Sequence, residues 1–169
     1  MNSKSRASVV LVGLLLAAGA TLFYLSVAAK EKAPAVPYTV LNGQTGNVEQ
    51  LRGKVVLVNF WATSCVTCVK EMPDLVATHE KFKARGYETL AVAMSYDPPA
   101  YVSRFAESRQ LPFKVVIDNT GEIAKRFGDV RLTPTTVLIN KQGEIVKRYV
   151  GEPDFAALHA LVERLLAET

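Results

Sequence analysis

Two cysteines make up the whole thiol inventory of this chain, and they stand three residues apart in Cys65-Val66-Thr67-Cys68. Two intervening residues let one helical turn bring both sulfurs within bonding distance. An apolar run, Lys54–Trp61, precedes the motif and a helical pattern follows it, so the cysteines open a helix. There the unpaired N–H groups and the helix dipole favour an anion, and the first sulfur ionises more easily. The thiolate is the attacking species in disulfide exchange. Cys65 is therefore expected to be the exposed nucleophile, and Cys68, one turn deeper, the thiol that resolves a mixed disulfide. Three other readings compete. A structural disulfide closing so short a loop constrains the unfolded chain little. A metal site needs further ligands, and the only histidines, His79 and His159, fall at apolar-face spacing on helices. A single-cysteine peroxidase leaves the second cysteine without a use.

The elements that must hold this motif follow from hydrophobic patterning. Tyr38–Leu41 and Val48–Leu51 read as short strands around the Asn42-Gly43 turn, and Lys54–Trp61 as a fully buried central strand. A helix is expected over Cys65–Arg85, with Leu75, Val76, His79 and Phe82 on its apolar side, a kink at Pro73 and a stop at Gly86. Thr89–Met94 is a second buried strand. Pro98–Arg109 is a helix, with Asp97 as N-cap and Tyr101, Val102 and Phe105 facing inward. Phe113–Ile117 is a strand and Glu122–Phe127 a short helix. Thr135–Asn140 and Ile145–Val150 form a hairpin with antiparallel edges, and Asp154 caps a last helix marked by Phe155, Leu158, Leu161, Val162 and Leu165. The order ββαβαβαββα predicts an α/β sandwich with a mixed central sheet flanked by helices.

A chain of 169 residues suits one domain plus a short appendage. The net charge of +4 is unevenly placed: four basic residues against Glu31 precede position 33, and the remainder is nearly balanced. That distribution leaves no footprint for nucleic acid. Residues 7–29 carry no charge. About 20 apolar residues, rising 1.5 Å each, cross a hydrocarbon core ~30 Å thick. Lys4 and Arg6 ahead of this run put residues 1–6 in the cytoplasm, the bilayer at 7–29 and the rest beyond it. The expected location is thus the inner (cytoplasmic) membrane, single-pass, with the domain facing the periplasm. A cleavable signal, with small residues at Ser26-Val27-Ala28, exports the domain equally. Residues 30–36 read as a tether, and 37–169 as the domain.

The run Asn59-Phe60-Trp61-Ala62-Thr63-Ser64-Cys65-Val66-Thr67-Cys68, followed by Glu71-Met72-Pro73, resembles the active-site segment of the thioredoxin superfamily. It is most like the membrane-anchored TlpA/ResA/CcmG-like thiol-disulfide oxidoreductases. Thr133-Pro134-Thr135-Thr136-Val137-Leu138-Ile139-Asn140 resembles that family's cis-proline loop and following strand. The extra helix and strand between Pro98 and Ile117 resemble the insertion of this branch. The resemblance implies a thioredoxin-like fold over 37–169 and a redox-active Cys65–Cys68 disulfide. It implies a cis Pro134 whose loop pairs with the backbone of a bound partner, Thr133 facing the Cys65 sulfur, and Trp61 sheltering the site, although a core aromatic is an equal reading of Trp61.

Glu71, one helical turn after Cys68, is associated by the resemblance with the active site; it would raise the thiol pKa values or accept a proton from the buried thiol. The alternative is a solvated glutamate. The chain also departs from the pattern. Asn59 stands where cytoplasmic thioredoxins carry a buried Asp, Ser64 where Trp is common, and Val66-Thr67 where Gly-Pro or Pro-Pro is usual. No cofactor is implied. The implied partners are disulfide-containing proteins outside the cytoplasm, such as apocytochrome c or copper-site proteins of oxidase assembly, and an upstream membrane thiol-disulfide carrier that re-reduces the pair. Two alternative functions remain: an oxidant of exported thiols, and a copper-binding assembly module with Met72 or Met94 as third ligand. A redox-inert docking domain has no use for both cysteines.

Overall fold

The computed structural model describes residues 30–168. The expected bilayer segment 7–29 lies outside them, and no helix among the described residues is long and apolar enough to cross a membrane. The domain begins with a small antiparallel pair, β1 (Pro37–Thr39) and β2 (Thr45–Asn47). Val48–Leu51, expected as a strand, is instead a turn of 3₁₀ helix. Asn47 accepts from the Glu49 N–H at 3.0 Å and the Gln50 side chain accepts from the Asn47 N–H at 2.9 Å. This reciprocal cap closes the chain into a helical turn before it can extend.

The main sheet is built from β3 (Val55–Trp61), β4 (Tyr87–Ala93), β5 (Lys114–Ile117), β6 (Thr135–Ile139) and β7 (Ile145–Val150), in the order β5-β4-β3-β6-β7. β3 runs parallel to β4, and β4 to β5, while β6 runs antiparallel to both β3 and β7. Of the closing hairpin only β7 is an edge, because β6 is buried along its length beside β3. Among the described residues three helices connect these strands, α1 (Val66–Phe82), α2 (Pro99–Ser108) and α3 (Glu122–Arg126), and a fourth, α4 (Phe155–Ala167), follows β7. α1 continues uninterrupted through Pro73 and gives way, after one 3₁₀ turn, to Gly86 at φ 89°. Asp154 caps α4 by accepting from the Ala157 N–H at 3.1 Å. Asp97 does not cap α2: Pro98 holds that position without a side-chain bond, and the Asp97 carboxylate is engaged by Thr63.

Alternation along the central strands divides two cores. Val55, Leu57 and Trp61 face α1, α2 and α4, whereas Val56, Val58 and Phe60 face α3 and the N-terminal segment. Asn59 falls on the α1 face, between Leu57 and Trp61, and is fully buried. That single polar interruption of an apolar strand decides what surrounds the cysteines.

Candidate redox site

Strand polarity brings three loops to one end of the sheet. β3 and β4 are parallel and finish together, and antiparallel β6 starts beside the end of β3, with Phe60 opposite Thr135. The turn of residues 62–65, the loop of residues 94–98 and the loop of residues 132–134 are therefore neighbours. Cys65 ends the first of these as the N-cap of α1, with φ −88° and ψ 104°. Its sulfur accepts from the Cys68 N–H at 3.2 Å and is disulfide-bonded to Cys68, with a Cα–Cα distance of 5.2 Å. Cys65 is half-buried and Cys68 has no exposure. Once the disulfide opens, the accessible sulfur stands where a helix N-terminus favours the thiolate.

The buried stripe of α1 includes Cys68, Glu71, Met72, Leu75, Thr78, His79 and Phe82. Glu71 thus carries a carboxyl into the apolar face one turn behind Cys68, and the solvated alternative is excluded: it has no exposed surface. Asn59 meets it from β3. The Asn59 amide donates to Glu71 Oε1 at 3.0 Å and, with its other hydrogen, to Thr136 Oγ1 at 3.0 Å. Among the described residues Glu71 Oε2 and Asn59 Oδ1 are buried without a hydrogen-bond partner. Burial pushes the Glu71 carboxyl up to about 7. The Asn59 bond pulls the other way, and the charges of Glu152 and Asp74 add to the rise. A carboxyl so placed exchanges a proton near neutrality, the working range of an acid–base group.

Thr133-Pro134 is a cis peptide. Pro134 is buried, and Thr133 is half-buried with its hydroxyl paired to the Tyr96 hydroxyl at 3.2 Å. Trp61 is wholly covered, its ring centroid 5.2 Å from that of Phe105 in the core cluster that also holds Cys68. It packs as a core aromatic beside the buried cysteine, one of the two readings its sequence position allowed, and offers no surface to a partner. Exposed apolar side chains adjoin both loops: Val66 follows Cys65, Leu132 precedes Thr133, and the exposed Tyr96 bonds Thr133 through its hydroxyl.

Among the described residues no cluster of three or more His, Cys, Asp or Glu is arranged to hold a metal. His79 pairs with the Thr89 hydroxyl at 3.2 Å and His159 with that of Thr78 at 2.8 Å, while Met72 and Met94 pack in the cores. In the sequence Asn59 stands out only as a departure from the buried Asp of cytoplasmic thioredoxins, and its bond to Glu71 is not legible there. A polar residue within a β-branched run was the available signal. Thr63, Tyr96 and Thr136 were missed as well; only the β3–β6 pairing, Asn59 opposite Thr136, reveals the last.

The sequence profile of the Redoxin family matches residues 28–162. Thiol-disulfide oxidoreductase ResA of Geobacillus kaustophilus is 36% identical over 120 residues, covering 68% of each chain. ResA of Geobacillus thermodenitrificans is 35% identical over 122 residues, 69% of this chain and 70% of that one. Among solved structures, a Neisseria meningitidis protein assigned as a thioredoxin superposes with a TM-score of 0.77 at 39% identity, covering 83% of this chain and 93% of that one. A Chlorobium tepidum protein assigned as thiol:disulfide interchange protein DsbE gives a TM-score of 0.72 at 27% identity, with coverage of 81% and 96%. A thioredoxin-like α/β sheet presenting a Cys-x-x-Cys pair at a helix start, matched along most of its length by these relatives, places the chain in the Redoxin family, as a thiol-disulfide oxidoreductase of the TlpA/ResA/CcmG-like branch of the thioredoxin superfamily.

Proposed function

We propose that this oxidoreductase works as a reductase outside the cytoplasm, anchored by residues 7–29 in the inner membrane. In this reading the Cys65 thiolate attacks a disulfide of a partner protein, forming a Cys65–partner bond and releasing one partner thiolate, which takes up a proton. Cys68 then gives its proton to the Glu71 carboxylate and attacks Cys65 Sγ. The second partner thiol leaves as the Cys65–Cys68 disulfide forms. Two electrons pass from the pair to the partner, and an upstream membrane thiol-disulfide carrier must return two, since the periplasm is kept oxidising. Thr133 and Pro134 form the partner-facing loop, flanked by Val66 and Leu132. The partners are the cysteines of exported proteins awaiting haem or copper, which must be reduced before they can bind.

The asymmetry of the pair carries this reading: Cys65 is accessible and caps α1, whereas Cys68 is buried one turn ahead of a carboxyl held near neutrality. Cys65→Ser is expected to abolish turnover, and Cys68→Ser to accumulate mixed disulfides with partner proteins. Turnover by both variants at the parent rate, in a protein-disulfide reduction assay, overturns it.

A further inference from the structure

Cys65 reaches its capping position at the end of the turn of residues 62–65. Within that turn, the Cys65 N–H donates to the Ala62 carbonyl at 3.1 Å. The other restraint comes from a different part of the chain. Asp97, 2% exposed, follows β4 and accepts twice from one residue: from the Thr63 N–H at 2.6 Å on Oδ2, and from the Thr63 hydroxyl at 2.5 Å on Oδ1. A carboxylate carried into the interior is costly unless its oxygens are well bonded, so this pair is a strong constraint on both partners. The Asp97 N–H returns to the Met94 carbonyl at 2.9 Å, and Met94 itself donates to the Trp61 carbonyl at 3.0 Å. The neighbouring Tyr96 bonds Thr133. Two consecutive residues of one loop thus hold the turn before Cys65 and the loop before Pro134.

We propose that Asp97 is a positioning residue for the redox pair: by holding Thr63 through its backbone and its hydroxyl, it fixes the turn that delivers Cys65 Sγ to the Cys68 N–H after the disulfide opens. The inference rests on the reading of Cys65 as the attacking thiol. In the disulfide, the S–S bond itself keeps Cys65 beside that N–H. In the dithiol this tether is gone, and the cap depends on the backbone of residues 62–65. Loss of the Asp97 clamp therefore penalises the dithiol more than the disulfide, and moves the equilibrium towards the disulfide. A lost N-cap is typically worth about fivefold to tenfold in an equilibrium constant. Tenfold corresponds to about 30 mV for this two-electron couple.

The test equilibrates the full chain with glutathione buffers at pH 7 and measures the ratio of disulfide to dithiol, with folding checked by Trp61 fluorescence. Measured against Asp97→Asn, which loses the same charge, Asp97→Ala is expected to shift the ratio about fivefold to tenfold towards the disulfide. Asp97→Asn can still accept from the Thr63 N–H and can donate to its hydroxyl. It should stay within about twofold of the parent or move towards the dithiol, because loss of a negative charge favours a nearby thiolate. Thr63→Val, which replaces the hydroxyl with a methyl and keeps the backbone N–H, should shift the ratio in the same direction as Asp97→Ala, and Thr63→Ser should restore it. If Asp97→Ala does not fold, the Thr63 pair decides the matter. A folded Asp97→Ala protein within twofold of Asp97→Asn, or Thr63→Val and Thr63→Ser behaving alike, overturns the inference. This equilibrium needs no partner protein, so its failure is distinct from a failure to trap mixed disulfides through Cys68→Ser.

Discussion

Glu71→Gln removes a titration while keeping the side chain's length and its acceptor for the Asn59 amide. Burial holds the folded-state carboxyl at about 7, against an ordinary 4.5. Between those values the folded protein keeps a proton that the unfolded chain releases. Stability contributed by this group is therefore full below about pH 4.5, falls as pH rises towards 7, and is level above that. At about 1.36 kcal/mol per tenfold change in proton affinity, the gap between 4.5 and about 7 amounts to about 3 kcal/mol by pH 8. The glutamine variant escapes that loss. Denaturant unfolding of the disulfide form, read through the fluorescence of Trp61, the single tryptophan, gives both stabilities. Any constant offset from the new amide cancels when pH 4 is compared with pH 8. The variant should gain on the parent by about 2–3 kcal/mol across that range. A stability difference that is the same at both pH values refutes the reasoning, because it means that Glu71 ionises in the fold as easily as in the unfolded chain.

Asn59→Ala takes away the donor that opposes burial, so the Glu71 titration, followed by carboxyl carbon NMR, should move above the parent midpoint; a midpoint at or below the parent value contradicts the bonding pattern. Leu132 is 65% exposed, so Leu132→Ser should leave the fold and the reduction of small disulfides intact. It should raise KM for a disulfide-bonded protein about tenfold, the value of one apolar side chain at an interface. An unchanged KM removes the partner-facing role of that loop.

Much of this architecture is legible in the residues because burial leaves a period. The apolar run ending at Trp61, broken only by Asn59, reads as a central strand, and the spacing of Leu75, His79 and Phe82 as a helix face. The Cys-x-x-Cys pair at their junction is a local pattern, and so is the proline loop. Val48–Leu51 misleads because its apolar ends suit a strand, and only the side chains of Asn47 and Gln50 turn it into a helical turn. Asp97 misleads for a related reason. An aspartate before two prolines has the look of a cap, but Thr63, 34 residues away, captures it. The Tyr96–Thr133 bond spans 37 residues and leaves no trace in either local sequence. Glu71 is intermediate. Its spacing from Cys68 placed it on the right face, yet only the packed fold shows that Asn59, twelve residues earlier, keeps it there.

The reduction potential of the Cys65–Cys68 pair tests the central claim most directly, measured on the full chain against defined thiol buffers. A dedicated reductase requires a potential below about −220 mV, towards the thioredoxin end of the scale. A potential near about −120 mV marks an oxidant of exported thiols and contradicts the account.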